Sequence, residues 1–134
     1  NDFEATLAVA DVTADRTITI PDKTGQVQMA SAISVITAGA TPTLTVGLSN
    51  LYSDTPTDDQ NQTITFSGAG TAGDMITILF IATGTLDEVI TFQTTLVNSV
   101  GTLTLSATAA DRYTVTFMSD GTVWNEIART AVQT

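Results

Sequence analysis

Two groups of residues in this chain have types and spacing suited to chemistry. The first is acidic: Asp54, Asp58 and Asp59, with Asn61 beside them. They supply hard oxygen ligands of the kind calcium takes from several carboxylates and carbonyls on one loop. The spacing departs from an EF-hand, which needs a turn glycine and a closing bidentate glutamate, so a solvated acidic loop is the simpler reading. The second group is Asn50-Leu51-Tyr52-Ser53-Asp54. An aromatic face such as Tyr52 stacks on a sugar while neighbouring Asn50 and Asp54 side chains hydrogen-bond its hydroxyls. Tyr113 and Trp124 have the same capacity, but both sit in strand-like runs and read as caps of a core. Paired carboxylates also run glycoside hydrolysis, with Asp54, Asp58, Asp59, Asp87 and Glu88 as material. Nothing in the spacing sets any two of them across a cleft.

Composition excludes more than it includes. The chain has no histidine and no cysteine, which removes Ser-His-Asp and Cys-His catalysis, imidazole and thiolate zinc sites, and dithiol redox chemistry within one chain. An enzyme is therefore not expected, and no cofactor is implied. The lack of cysteine leaves the redox compartment open. Gly68-Ala69-Gly70-Thr71-Ala72-Gly73 lacks the lysine of a phosphate-binding P-loop and the following helix of a dinucleotide fold. Asn61-Gln62-Thr63 fits a glycosylation acceptor. Fourteen acids face four basic residues, a net charge of -10, so phosphate backbones and anionic lipid surfaces are repelled and nucleic acid is not expected as a partner.

The elements that must carry these residues are strands. At 134 residues one domain is expected. Threonine makes up about a fifth of the chain, and no segment keeps an apolar stripe at helical spacing for three turns. Strands are expected at Thr6–Ala10, Arg16–Ile20, Gln26–Met29, Ala32–Thr37, Thr43–Val46, Thr63–Ser67, Met75–Ala82, Val89–Gln93, Thr102–Ser106, Tyr113–Met118 and Val123–Ala128. Ser49 to Gln62 reads as one long irregular segment. Met75–Ala82 is too short and too interrupted by Thr77 to span a bilayer, which takes about 20 residues, and it reads as a central strand buried on both faces. Membrane insertion is not expected. Ala14-Asp15-Arg16 and Ala110-Asp111-Arg112 both precede strands, but their apolar residues fall on opposite parity, so shared turn chemistry explains the echo better than duplication. Asn1-Asp2-Phe3-Glu4 has neither the basic region nor the apolar run of a signal peptide. The chain starts without methionine, as a processed product or a piece of a longer protein does.

Many short strands at regular spacing give an all-β class: an antiparallel β-sandwich or jelly-roll-like barrel, with an intertwined trimeric β-prism as the alternative. Residues 1–30 read as an N-terminal β-segment for attachment or assembly, and residues 31–134 as the sandwich-like domain. The closing hairpin is the clearest element: Tyr113-Thr114-Val115-Thr116-Phe117-Met118 runs into Ser119-Asp120-Gly121, whose Asp-Gly supplies the positive φ of a tight turn, and a second run carries Trp124.

That hairpin, an apolar strand entering a Ser-Asp-Gly-Thr-x-Trp turn, resembles the closing strands of many bacteriophage tail-fibre and virion-structural proteins. Thr13-Ala14-Asp15-Arg16-Thr17-Ile18-Thr19-Ile20-Pro21-Asp22-Lys23-Thr24-Gly25-Gln26-Val27 resembles a phrase that recurs in structural proteins of tailed phages, notably marine and cyanobacterial ones. Gln26 stands where a small residue or threonine is more usual. Together the two likenesses cover about a quarter of the chain and hold no catalytic residue. They imply a structural protein located in the virion, a tail-fibre or appendage module that forms a homotrimer, contacts other virion proteins and touches a host-surface glycan. The alternatives are a capsid decoration (cement) protein that binds capsomers, and a bacterial adhesin or carbohydrate-binding module.

Overall fold

The computed structural model describes residues 33–37, 39–47, 50–57, 60–84 and 87–130. The expected strands before residue 32, the Thr13–Val27 phrase and Asp58 and Asp59 lie outside them. The described residues form ten strands and no helix: β1 Ser34–Val35, β2 Thr43–Leu44, β3 Leu51–Asp54, β4 Gln62–Phe66, β5 Met75–Ile81, β6 Glu88–Phe92, β7 Val97–Asn98, β8 Leu103–Leu105, β9 Arg112–Ser119 and β10 Trp124–Arg129. They build a six-stranded sheet, β1-β3-β5-β9-β10-β7, and a four-stranded sheet, β2-β4-β6-β8.

Alternation in the sequence sets the faces. In β5, Ile76, Ile78 and Phe80 are buried while Thr77, Leu79 and Ile81 are half-covered, so the strand is central but packed fully on one face only, not on both as its apolar run suggested. The inward faces of both sheets share one apolar core, and aromatic rings join the two layers. Phe66 of β4 meets Phe117 of β9 edge-on at 5.5 Å, and Phe92 of β6 meets the same ring at 5.0 Å. Each such pair adds about 0.5–1.5 kcal/mol beyond area burial. The outward threonines are not idle. Register partners Thr43 and Thr65, Thr63 and Thr91, and Thr77 and Thr116 share hydroxyl hydrogen bonds of 2.7, 2.8 and 3.0 Å. This cross-strand pairing is what β-branched hydroxyl residues contribute on a solvent face.

Strand direction departs from the antiparallel sandwich expected. Among the described residues five of the eight strand pairings are parallel. The reason is connectivity: the chain passes from one sheet to the other at each step from β1 to β6, and returns to each sheet in its former direction. The result is a coil of three turns, β1+β2, β3+β4 and β5+β6. Antiparallel strands then close it, β8 on β6, β9 on β5 and β10 on β9. Two strands were missed in the sequence. Leu51–Asp54 lies inside the stretch read as irregular because its inward positions carry Tyr52 and Asp54, and Val97–Asn98 is too short to show a period.

The Ser-Asp-Gly hairpin forms as expected, with Trp124 opposite Ser119 and Gly121 at φ 94°. The Asp120 carboxylate accepts from the Thr122 hydroxyl at 2.7 Å, the Thr122 and Val123 amides at 2.8 and 2.9 Å and the Asn125 amide at 3.2 Å. These bonds, led by the Thr122 hydroxyl, hold its pKa well below the usual carboxylate range. Ahead of it, the glycine-rich loop 68–73 is a lid over Trp124. The indole N–H donates to the Gly68 carbonyl at 2.9 Å, and the Ser119 hydroxyl donates to the Ala69 carbonyl at 2.6 Å. Gly70, at φ 71°, lies so close that a Cβ there would meet Trp124 Cζ2 at 2.5 Å.

Candidate functional site

The residues singled out for chemistry do not gather on the surface. β3 alternates, so Tyr52 and Asp54 both project inward and Asn50 stays outside. The Tyr52 ring is 2% exposed and belongs to the core, and its hydroxyl donates to the Thr45 carbonyl. A sugar stacks on an open ring face, which Tyr52, Tyr113 and Trp124 all lack. The expectation of a glycan site built on Asn50, Tyr52 and Asp54 is corrected accordingly: the alternation that marks a strand also hides every second residue. The calcium set is likewise divided, because Asp54 turns into the interior while Asp58 and Asp59 are outside the described residues. Asn61 is engaged, its side-chain carbonyl accepting from the Val89 amide at 2.9 Å, which ties β4 to the start of β6.

The interior itself carries the unexpected polar groups. Asp54, Gln62 and Glu88 are buried. Neither carboxylate oxygen of Asp54, neither amide atom of Gln62, nor Oε2 of Glu88 has a hydrogen-bond partner. Only Oε1 of Glu88 is bonded, by the Thr83 hydroxyl at 2.6 Å. Burial pushes the Asp54 carboxyl up to about 6, with the adjacent Thr55 backbone amide pulling the other way. Sequence patterning could have shown this cluster only as breaks in apolar alternation at the first or last inward position of β3, β4 and β6. Among the described residues no three acids converge as metal ligands.

A second feature is an open groove of about 530 Å³ between the free edge of β8 and the far end of β10, lined by Asp87, Thr104, Ser106, Tyr113, Arg129 and Thr130, with Leu103 below. Its polar groups are largely committed to the framework. The Ser106 hydroxyl donates to Asp111 at 2.6 Å, and the Ser106 amide donates to the Tyr113 hydroxyl at 2.8 Å. Arg129 donates to both carboxylate oxygens of Glu126 at 2.7 and 2.9 Å and to the carbonyls of Thr102 and Gly101 at 2.7 and 3.0 Å. The Glu126 side chain is only 1% exposed and also accepts from the Val100 amide at 3.0 Å. Simple alternation places Trp124, Glu126 and Ala128 on one face, a face its charge makes less buried. A bulge between Glu126 and Ala128 breaks that pattern, and the carboxylate is covered because Arg129 folds over it. Together Glu126 and Arg129 clamp the loop 99–102 to β10. Glu126→Gln keeps the shape but loses the charge-assisted pair, so we expect a stability loss of about 1–3 kcal/mol. The Val100 amide should exchange at least about tenfold faster; exchange at the parent rate would mean the clamp does not hold the loop.

The chain matches no protein-family model and no curated protein sequence. Its function is therefore argued from its own residues and surface.

Proposed function

We propose that this chain is a structural, self-assembling module of a tailed-phage virion, of the tail-fibre or appendage kind, built as a homotrimer and held by neighbouring virion proteins. The Thr13–Val27 phrase and the closing hairpin motivate the virion setting. The observation that carries the assembly reading is the outer face of the six-stranded sheet, where Val35 on β1, Leu51 on β3, Met75 on β5 and Met118 on β9 are exposed. Met75 and Met118 are register partners on adjacent strands, and the half-covered Leu79 and Ile81 continue the same face. Apolar side chains on four neighbouring strands, in a chain of net charge -10, form the kind of surface that a subunit contact covers. Charge repulsion between copies would confine the contact to such a face.

Sedimentation equilibrium at micromolar concentration tests this. A trimer of 14.0 kDa chains has a mass of about 42 kDa. Replacing Met75 and Met118 by Glu places charge on the face and should dissociate the assembly to monomer while the circular dichroism spectrum stays that of a β protein. A parent chain that sediments as a 14.0 kDa monomer excludes the reading. Density for this fold along a tail appendage in a map of the intact particle would support the setting, whereas density on the capsid shell would move the chain to the decoration class.

A further inference from the structure

Five buried side-chain atoms at one end of the interior lack any partner, and four of them are oxygens: Oδ1 and Oδ2 of Asp54, Oε1 of Gln62 and Oε2 of Glu88. Strand direction brings them to the same end. β3 finishes at Asp54, while β4 and β6 begin at Gln62 and Glu88. Because β3 runs parallel to β5 and β4 parallel to β6, the points where the first sheet hands the chain to the second coincide. Gln62 is the register partner of Ile90, so Glu88 occupies the next inward position along the neighbouring strand. Facing sheets lie about 10 Å apart, within the combined reach of an aspartate on one and a glutamine or glutamate on the other.

The charge balance at this end is incomplete. Two carboxylates with unpartnered oxygens are withdrawn from water, and a third buried acid near this end, Asp111, is bonded by the Ser106 hydroxyl. The basic residues among those described are Arg112, which is exposed, and Arg129, which is committed to Glu126. A buried carboxylate without a counter-charge is strongly disfavoured. Oxygen donors alone, two of them anionic, are the ligand chemistry of a hard divalent cation. The Thr83 hydroxyl, by binding Oε1 of Glu88, fixes that carboxylate and leaves Oε2 free, which is how an outer-shell partner orients a metal ligand.

We propose that this end of the interior binds a divalent hard cation, with the carboxylates of Asp54 and Glu88 and the amide oxygen of Gln62 as its protein ligands. Calcium suits it better than magnesium, because calcium accepts irregular geometry and several carboxylates, whereas magnesium demands a near-ideal octahedron and keeps its waters. Bound there, the ion joins the second and third turns of the coil across both sheets. The site stands independently of the assembly reading, since it lies within one chain.

The test is calcium titration of the full chain after exhaustive treatment with EGTA, read by calorimetry and by thermal melting, with MgCl₂ in parallel. One calcium per chain and a melting temperature raised by roughly 5–10 °C at millimolar calcium are expected. Asp54→Asn and Glu88→Gln should each weaken calcium binding at least about tenfold. In EGTA both variants should melt at or above the parent, because each removes a buried charge, so loss of binding is not confused with loss of fold. Asp87→Asn, an exposed acid, should bind like the parent. Identical melting in calcium and EGTA with no binding heat overturns the proposal. Calcium binding that persists unchanged in Asp54→Asn and Glu88→Gln overturns it too, by locating the ion on surface acids.

Discussion

Replacing Trp124 by Ala is expected to cost about 3–5 kcal/mol, a large part of the stability of a domain this size. Trp124 is the largest fully buried side chain and its ring lies 5.8 Å from that of Phe66 on the opposite sheet. Removing it empties the space between the glycine-rich lid and the core and frees the Gly68 carbonyl. The melting temperature should fall by more than about 10 °C. Trp124→Phe separates the two contributions: it keeps most of the packing and loses the indole hydrogen bond, worth about 1 kcal/mol. Gly70→Ala attacks the same contact from the lid, since its Cβ would collide with the indole and its φ of 71° is strained for alanine. A Trp124→Ala variant melting within about 2 °C of the parent would refute the packing role.

Asp54→Asn should stabilise the metal-free protein at neutral pH and change how its stability depends on pH. The folded carboxyl titrates at about 6 against an ordinary 3.8, so the folded chain holds this proton more tightly than the unfolded one. That contribution is fully present below about pH 4 and is lost as pH rises through about 6. Glu88 and Asp111, the other buried acids toward this end of the interior, are unchanged in the comparison. We therefore expect the parent, in EGTA, to lose stability relative to Asp54→Asn between pH 4 and 7, by about 1–2 kcal/mol once solvent screening is allowed for. Parallel melts of the two proteins across this range check it. Two curves that stay a constant distance apart would show that Asp54 does not titrate in that window. Asp120 has the opposite sign, its depressed carboxyl contributing stability above the ordinary carboxylate pKa that is lost only in acid, so the difference between the two proteins is the informative quantity.

The all-β class, the closing hairpin and most strand positions follow from period-two alternation, because a pleated strand with one buried face cannot hide its apolar residues at any other spacing. The Asp120-Gly121 turn is legible for a similarly local reason: a glycine that accepts positive φ beside a carboxylate that caps its own turn. Tyr52 and Asp54 show where local signals stop. Their alternation marks an inward face, but a sequence does not tell an inward polar residue from a surface one, and both fall within a stretch that reads as an irregular loop.

What the tertiary structure alone decided is pairing. Alternation says which face a residue takes and is silent on which strand lies beside it, so a coil of parallel turns and an antiparallel sandwich share one pattern. Three further features needed long-range contact. Gly70 sits over Trp124, the Glu126–Arg129 pair reaches across to the loop 99–102, and the unpartnered oxygens of Asp54, Gln62 and Glu88 lie toward the same end of the core. Each involves residues that are ordinary in their own segments, and only the pairing of strands distant in sequence places them side by side or at one sheet end.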